Sequence, residues 1–286
     1  MLEGPLLKLL RMVQVKLPRD VENALRSALD RERSKMGKIQ LRTMLDNAML
    51  AEKLGKPICQ DTGFLTFYVN VGADLKVPKN FKHVFELAVR KASKRIPLRP
   101  SMVHPLTRKN PGDNVGIGAP TVDWNLVNGN VLEVTLFAKG AGCDNMSSLH
   151  MLTPGDSLHR IKQIVIEEII TRGSMACPPL VIGLGIGGSS ASVLKLAERA
   201  LLKPMGLRHR DASFAQLEED LLNLVNATGI GPMGLGGSTT ALDVKVEYAC
   251  THTASLPVGI VTNCWCLRRA TARITSDGFF TILDEK

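Results

Sequence analysis

Aromatic residues are scarce in this chain: two Trp, two Tyr and eight Phe amount to 4% of 286 residues. That scarcity excludes the base-stacking platforms of single-stranded nucleic-acid binders, so no nucleic-acid partner is expected. No Cys-x-x-Cys pair occurs, and the closest cysteines, Cys264 and Cys266, have one residue between them, which argues against a structural zinc site. A signal peptide is lacking too, because Leu6-Leu7-Lys8-Leu9-Leu10-Arg11 breaks its apolar stretch with charge. A long uncharged run, residues 173–194, carries Pro178-Pro179 and glycines at 183, 185, 187 and 188, so no membrane helix is expected there. These absences together lead to the expectation of a cytoplasmic protein whose six cysteines stay reduced and serve metal or catalysis rather than disulfides.

What is present is a globular composition, 44% hydrophobic and 22% charged, with a net charge of +9 spread along the chain. Two readings of the basic excess stand side by side: an anionic small substrate, or ordinary solubility. The length suffices for one large domain or two small ones. With no internal repeat and no linker, a single domain over residues 1–286 is expected, with a helical portion over roughly residues 1–56.

Leu41, Met44, Leu45 and Ala48 recur at helical spacing, and Gly55-Lys56-Pro57 stops that helix just before Cys59. Residues 64–71 read as a strand, 81–94 as a helix and 131–137 as a half-buried strand. Thr153-Pro154 reads as N-cap and first helical residue, with Leu158, Ile161 and Val165 as the buried stripe up to Gly173. A strand over 180–186, a glycine turn, a helix through Leu202, a helix over 217–225 and strands at 244–248 and 256–261 follow. The fold class expected is mixed α+β: a helical N-terminal part, then strands and helices around a cluster-binding cleft.

Cys59, Cys177 and Cys264 each sit in a turn with glycine, proline or polar neighbours. Three thiolates from three separate turns suit one iron–sulfur cluster that leaves an iron open for substrate. The rival is a dinucleotide site, since Gly183-x-Gly185-x-x-Gly188 matches that fingerprint letter for letter. The fingerprint's acidic residue is missing, and its first two glycines fall inside the apolar strand rather than after it. Further glycine-rich turns at residues 139–145 and 231–240 offer backbone amides to an anion; tight turns are the plainer explanation of each.

Six blocks now stand in one order: Pro57-Ile58-Cys59-Gln60-Asp61-Thr62-Gly63, the loop 139–147, Cys177-Pro178-Pro179 with 183–188, residues 230–240, Thr251-His252-Thr253-Ala254-Ser255-Leu256-Pro257, and Asn263-Cys264-Trp265 with Arg268-Arg269. Over nearly the whole chain this resembles the α subunit, or N-terminal domain, of the oxygen-sensitive iron–sulfur hydro-lyases: class I fumarate hydratases and L(+)-tartrate dehydratases. The resemblance implies that Cys59, Cys177 and Cys264 ligate three irons of a 4Fe-4S cluster whose fourth iron binds substrate. It implies that Gln60, Arg99, Gly142, Cys143, Asp144, Asn145, Met146 and Ser147 contact a small dicarboxylate, and that Asp61 and His252 are the catalytic pair. From the residues alone, Asp61 could cap its turn and His252 could be a hydrogen-bonded core histidine. Cys143, Cys250 and Cys266 match no ligand position and read as small packing residues.

Moving water on or off a dicarboxylate needs a hydroxide equivalent, a proton carrier and cover for accumulating negative charge. An open metal can lower the pKa of bound water from about 15.7 to about 7, worth on the order of 10 kcal/mol. Residues 230–245, Pro105-Leu106-Thr107-Arg108-Lys109-Asn110 and Asn145-Met146-Ser147 resemble the fumarate enzymes; Cys143, Cys264-Trp265 and Met36-Gly37-Lys38-Ile39 resemble the tartrate enzymes. The expected reaction is hydration of fumarate to L-malate, with tartrate dehydration as the alternative. Ser238 departs from the Lys that fumarate hydratases often carry there. Single-chain relatives supply further basic and hydroxyl groups from a second domain, so the resemblance implies a separately encoded β subunit and an α2β2 assembly.

Overall fold

The computed structural model describes residues 2–76, 80–156, 158–275 and 280–283. In chain order the elements are α1 (Glu3–Val15), α2 (Arg19–Arg31), α3 (Lys35–Leu54), β1 (Phe64–Gly72), α4 (Phe81–Arg95), β2 (Thr121–Val127) and β3 (Val131–Lys139). The one-turn α5 (Ala141–Asp144), β4 (Ser148–Leu152), α6 (Leu158–Arg172), β5 (Leu180–Gly187), α7 (Val193–Ala200) and α8 (Ala212–Ala227) follow. The chain then runs through β6 (Ala241–Ala249), β7 (Leu256–Asn263), β8 (Arg268–Thr275) and β9 (Phe280–Ile282). This is the mixed α+β class, with three helices before the first strand.

Contacts divide the chain into two compact units, one of Met1–Arg19, Asn47–Ala141 and Cys266–Lys286, the other of Asp20–Asp46 and Gly142–Trp265. The first unit holds a five-stranded sheet in the order β2-β1-β3-β8-β9, antiparallel except for the β1–β2 pair. Its core follows from alternation. Phe67 pairs with Leu136 and Val69 with Val134, while Leu136 pairs with Ala270 and Val134 with Ala272, so one sheet face is apolar across three strands. Leu6, Leu9, Leu10 and Val13 of α1 and Phe85, Ala88, Val89 and Ala92 of α4, spaced as one helical stripe each, join the same core. Burying each large side chain contributes about 1.5–3 kcal/mol.

The second unit holds a four-stranded sheet, β4-β7-β5-β6, antiparallel except for β5–β6. Ile182 and Leu184 of β5 pair with Val244 and Val246 of β6, and they share a core with Ile161, Ile164, Val165 and Ile169 of α6 and Leu217, Leu221 and Val225 of α8. On the other face α7 lies against bare backbone. A Cβ at Gly183 would fall 2.1 Å from the Ala197 carbonyl oxygen, and one at Gly185 would fall 2.2 Å from that of Val193. The first two glycines of the apparent dinucleotide fingerprint are thus required for helix-on-strand packing, inside β5 rather than in a turn after it.

Two sequence expectations are corrected here. Pro154 does not open a helix: the Thr153 amide and hydroxyl both donate to the Asp156 carboxylate, at 2.7 and 2.9 Å, closing a separate turn ahead of α6. Leu158 is exposed, so the buried stripe of α6 begins at Ile161.

Candidate functional site

The Cys59 turn belongs to the first unit, and each of its ends is tied down. Helix α3 closes with the Gly55 amide on the Glu52 carbonyl and the Lys56 amide on the Ala51 carbonyl, Gly55 taking the left-handed conformation that this cap requires. The Ile58 amide then donates to the Gln14 carbonyl at 2.9 Å, and the Asn47 side chain donates to the Ile58 carbonyl at 2.9 Å. Past the turn, Gln14 Nε2 donates to the Thr62 carbonyl at 3.0 Å, while Gln14 Oε1 accepts from the buried Arg268 guanidinium at 2.8 Å. The Thr62 hydroxyl donates to the Arg99 carbonyl at 2.7 Å. One fully buried residue, Gln14, therefore brackets residues 58–62, with its backbone carbonyl at Ile58 and its side chain at Thr62, and Thr62 links that turn to the segment carrying Arg99.

Inside the turn the Asp61 amide points at Cys59 Sγ, 3.4 Å away. The Asp61 carboxylate accepts from the Gly63 amide at 2.9 Å and from the Ala141 amide at 2.8 Å. It caps its own turn, as the residues alone suggest, and it fixes the start of α5 as well. Gly63 is irreplaceable by geometry: its φ is +81°, and a Cβ would sit 2.9 Å from the Lys139 carbonyl oxygen. Cys59 is half-buried, while Gln60 and Arg99 are exposed.

The other two cysteines lie in the second unit. Cys177 is exposed and left-handed, with φ +53°, at the end of the short helical turn Gly173–Ala176. Half-buried Cys264 follows β7, its amide donating to Asn263 Oδ1 at 2.8 Å. Cys143 joins the two. Its buried Sγ lies 3.9 Å from the Ala176 carbonyl oxygen and 3.8 Å from Asn263 Oδ1, and its carbonyl accepts from the Thr262 hydroxyl at 3.3 Å. The loop Gly142, Cys143, Asp144, Asn145, Met146, Ser147 is closed by the Met146 amide on Cys143 and the Ser147 amide on Asp144, and the Arg172 guanidinium donates to the Asn145 carbonyl. Gly142, Asp144 and Asn145 are exposed, whereas Cys143 and Met146 are core residues.

His252 is exposed on the loop after β6, where its Nδ1 accepts from the Ala254 amide at 3.2 Å. It is not a core histidine, and in the neutral ring the proton is left on Nε2. All six cysteines are free of disulfides; Cys143 and Cys266 are buried packing residues, but Cys250 is exposed and does not pack. Among the described residues no three His, Cys, Asp or Glu side chains are gathered closely enough to hold an ion. No described helix is long and apolar enough to cross a membrane.

Two buried polar groups were invisible to sequence reasoning. Glu32 accepts from the Ser238 amide and hydroxyl, both at 2.9 Å, from the Thr239 amide at 3.0 Å, and from the amides of Arg33 and Ser34. Burial alone would push its carboxyl up, but the amides of Ser238 and Ser34 with the further bonds from Thr239 and Ser238 overcome that and hold it at about 2. Ser238 thus has a structural partner of its own. Lys245, fully buried on β6, donates to the Leu207 carbonyl at 2.6 Å and the Asp243 carboxylate at 2.9 Å, and burial lowers its pKa against those partners. Arg208 also pairs with Asp243, at 2.9 Å, so this charge cluster is internally compensated.

The fumarate hydratase (Fumerase) family model matches residues 5–273. The chain belongs to that family. It is 45% identical over 274 residues to the putative L(+)-tartrate dehydratase subunit alpha of Methanocaldococcus jannaschii, covering 94% of this chain and 96% of the relative. It is 36% identical over 267 residues to the L(+)-tartrate dehydratase subunit alpha of Escherichia coli strain UTI89, and 35% identical over the same length to that of strain K12, in each case covering 93% of this chain and 88% of the relative. The family places the chain among hydro-lyases of the fumarate hydratase and tartrate dehydratase α type, and the pinned Cys59 turn and the Cys143-linked Cys177 and Cys264 turns fall inside the matched span.

Proposed function

We propose that this chain is the α subunit of an iron–sulfur L(+)-tartrate dehydratase, converting tartrate to oxaloacetate and water. The observation that carries the substrate is the identity of 45% over nearly the full length to a relative bearing that name, with Cys143 and Trp265 agreeing from the sequence side. Fumarate hydration is the second reading; the family's printed description and the fumarate-like stretch 230–245 favour it.

The donor set fits a cluster. Cys59, Cys177 and Cys264 sit in turns and form no disulfide, the Asp61 amide is aimed at Cys59 Sγ, and a buried amide N–H of Asn263, the residue before Cys264, has no acceptor among the described residues. When bound, a 4Fe-4S cluster held by these three would supply Lewis-acid activation of the substrate hydroxyl. The chain's own residues do the rest. Arg99 holds a substrate carboxylate with its guanidinium fork, assisted by Gln60 and by backbone amides of residues 142–145. Asp61, kept in one rotamer by two backbone amides, takes the proton from the carbon bearing the second hydroxyl as the first hydroxyl leaves. The product enol then becomes oxaloacetate by moving that hydroxyl's proton to carbon. His252, with Nδ1 occupied by the Ala254 amide, has Nε2–H to offer the departing hydroxyl.

The matched relatives are named as α subunits, and a β subunit that completes the dicarboxylate grip and excludes water is the partner proposed, as α2β2. The test is anaerobic co-purification with its β subunit and comparison of kcat/KM for L-tartrate and fumarate. At least a tenfold preference for L-tartrate is expected; the reverse preference establishes the second reading.

A further inference from the structure

Between the end of α4 at Arg95 and the start of β2 at Thr121, the first unit carries a long connection with no helix or strand of its own. Its backbone is nevertheless braced at many points. Buried Asn114 accepts from the Ser101 amide at 2.7 Å and donates to Ser93 Oγ at 3.0 Å, and that hydroxyl lies 2.9 Å from the Asp113 carbonyl. The Asn110 side chain donates to the Pro100 carbonyl at 2.9 Å and accepts from the Gly112 amide at 2.7 Å. The His104 amide donates to the Lys109 carbonyl at 2.8 Å, while His104 Nδ1 accepts from the Leu106 and Thr107 amides at 3.3 and 3.2 Å. What this braced loop presents to the outside is apolar. Leu106 is 86% exposed and Ile117 wholly exposed, and a cavity of about 570 Å³ has Met102, Val103, Pro105, Pro111, Val115 and Ile117 in its walls. A long connection of this kind is ordinarily either mobile or functional, and the bracing argues against the first. The two exposed side chains add nothing to the core, so folding does not account for them.

We infer that this loop is a docking surface for the β subunit, an aliphatic or aromatic side chain of which enters the cavity while Leu106 and Ile117 pack against the partner. The inference rests on the partner reading above and goes beyond it by naming the surface. Continuity points to that occupant. The loop sets out from Arg99: the Thr62 hydroxyl holds the Arg99 carbonyl and the Asn110 side chain holds the next one, so the apolar surface and the proposed carboxylate grip belong to one braced segment. A subunit that completes that grip meets this loop. Charge disfavours a second copy of this chain. Arg108 and Lys109 are exposed, Lys109 in the cavity wall, and a two-fold contact would set this basic pair against its own twin, whereas acidic side chains of a different partner complement it. An apolar anchor in a pocket with a charged rim is the usual centre of a protein interface, and a loop already fixed loses little conformational freedom on binding.

The test titrates the full chain against its β subunit under anaerobic conditions, as wild type, Leu106→Ser, Ile117→Ser and Lys109→Glu, with Ile170→Ser, at an exposed apolar position of α6, as the control. Kd is expected to rise at least tenfold in Leu106→Ser and in Ile117→Ser, and to stay at the wild-type value in Ile170→Ser. Lys109→Glu is expected to weaken binding by an amount that shrinks as salt is added. A wild-type Kd in both serine variants overturns the inference and leaves the β-subunit reading standing. A wild-type chain that does not bind the β subunit overturns that reading, and the inference with it. If the serine variants instead lose self-association of this chain and keep the β subunit, the surface belongs to a second copy and the inference is overturned. Hydrogen exchange on the wild-type pair needs no variant: amides of residues 104–117 are expected to gain protection when the β subunit is added, and unaltered exchange there overturns the inference as well.

Discussion

The Glu32 carboxylate receives the amide and the hydroxyl of Ser238, 206 residues away in sequence. That pair anchors the glycine-rich loop 230–240, whose Met233 amide in turn donates to the Pro178 carbonyl, one residue beyond Cys177. Because the carboxylate is the acceptor for several amides at once, its ionised form is what the fold selects.

The pH dependence follows from the sign of that shift. A carboxyl held at about 2 instead of 4.5 contributes about 3 kcal/mol that is fully present above pH 4.5 and lost as pH falls toward 2. Urea unfolding of wild type and Glu32→Gln should therefore differ by about that much at pH 7 and converge near pH 2. A difference that does not shrink on acidification contradicts the assignment.

Replacing Cys59, Cys177 or Cys264 by Ser is expected to abolish retention of iron after anaerobic reconstitution. Cys250→Ser, at an exposed position, should retain it fully. Iron content measured on the purified variants separates ligands from bystanders, and undiminished iron in any of the first three removes that cysteine from the ligand set.

Gln14→Leu should cost about 2–4 kcal/mol, because it strips a partner from the Thr62 carbonyl and from the Arg268 guanidinium in a buried place. Gln14→Glu keeps the acceptor for Arg268 but turns an oxygen toward the Thr62 carbonyl. Its kcat should fall more than its stability does, since the Cys59–Asp61 turn is what shifts. Equal unfolding midpoints for wild type and Gln14→Leu would falsify the bracketing role.

Asp61→Asn preserves shape but faces one backbone amide with an NH2 group. A drop in kcat of about 10²–10⁴ is expected, with a smaller change in KM. If kcat stays within tenfold of wild type, Asp61 is only a cap.

Gly183→Ala should destabilise by about 3 kcal/mol, as overpacking does when the obstruction is backbone, here the Ala197 carbonyl oxygen at 2.1 Å. Thermal unfolding measures it. A tolerated alanine means that α7 is free to move off β5.

The elements with clean periodicity were legible in advance: β1, α4, β3 and β5 fall within two residues of their expected bounds, because a single buried face dictates their spacing. β8 was not, since Arg268-Arg269-Ala270-Thr271-Ala272-Arg273-Ile274-Thr275 places a buried arginine, Arg268, beside the small Ala270 and Ala272 on its apolar face, leaving little hydrophobic contrast. Within the candidate site, Cys59, Cys177 and Cys264 stand out as candidates by type and turn context, and Asp61 by its turn-capping position. Gln14, Glu32 and Asn263 do not: each is a polar residue in or beside an ordinary helix or strand, and its importance comes from partners far along the chain. The fingerprint at Gly183 misled for a related reason, because close helix–strand packing and phosphate binding demand the same absence of a Cβ.

The interleaving of the two units has a consequence for how the protein is made. Ala138 of β3 pairs with Arg268 of β8, so the sheet that backs the Cys59 turn lacks an inner strand until the whole of residues 142–265 has left the ribosome. Arg268, which completes the Gln14 contact, arrives on that same strand. The second unit's sheet and core helices are contiguous in sequence and can close as they emerge, whereas the first must keep its ends apart across that stretch and pay the loop-closure entropy last. Assembly of the turn that carries Cys59 is thereby timed to follow, and not to precede, the appearance of Cys177 and Cys264.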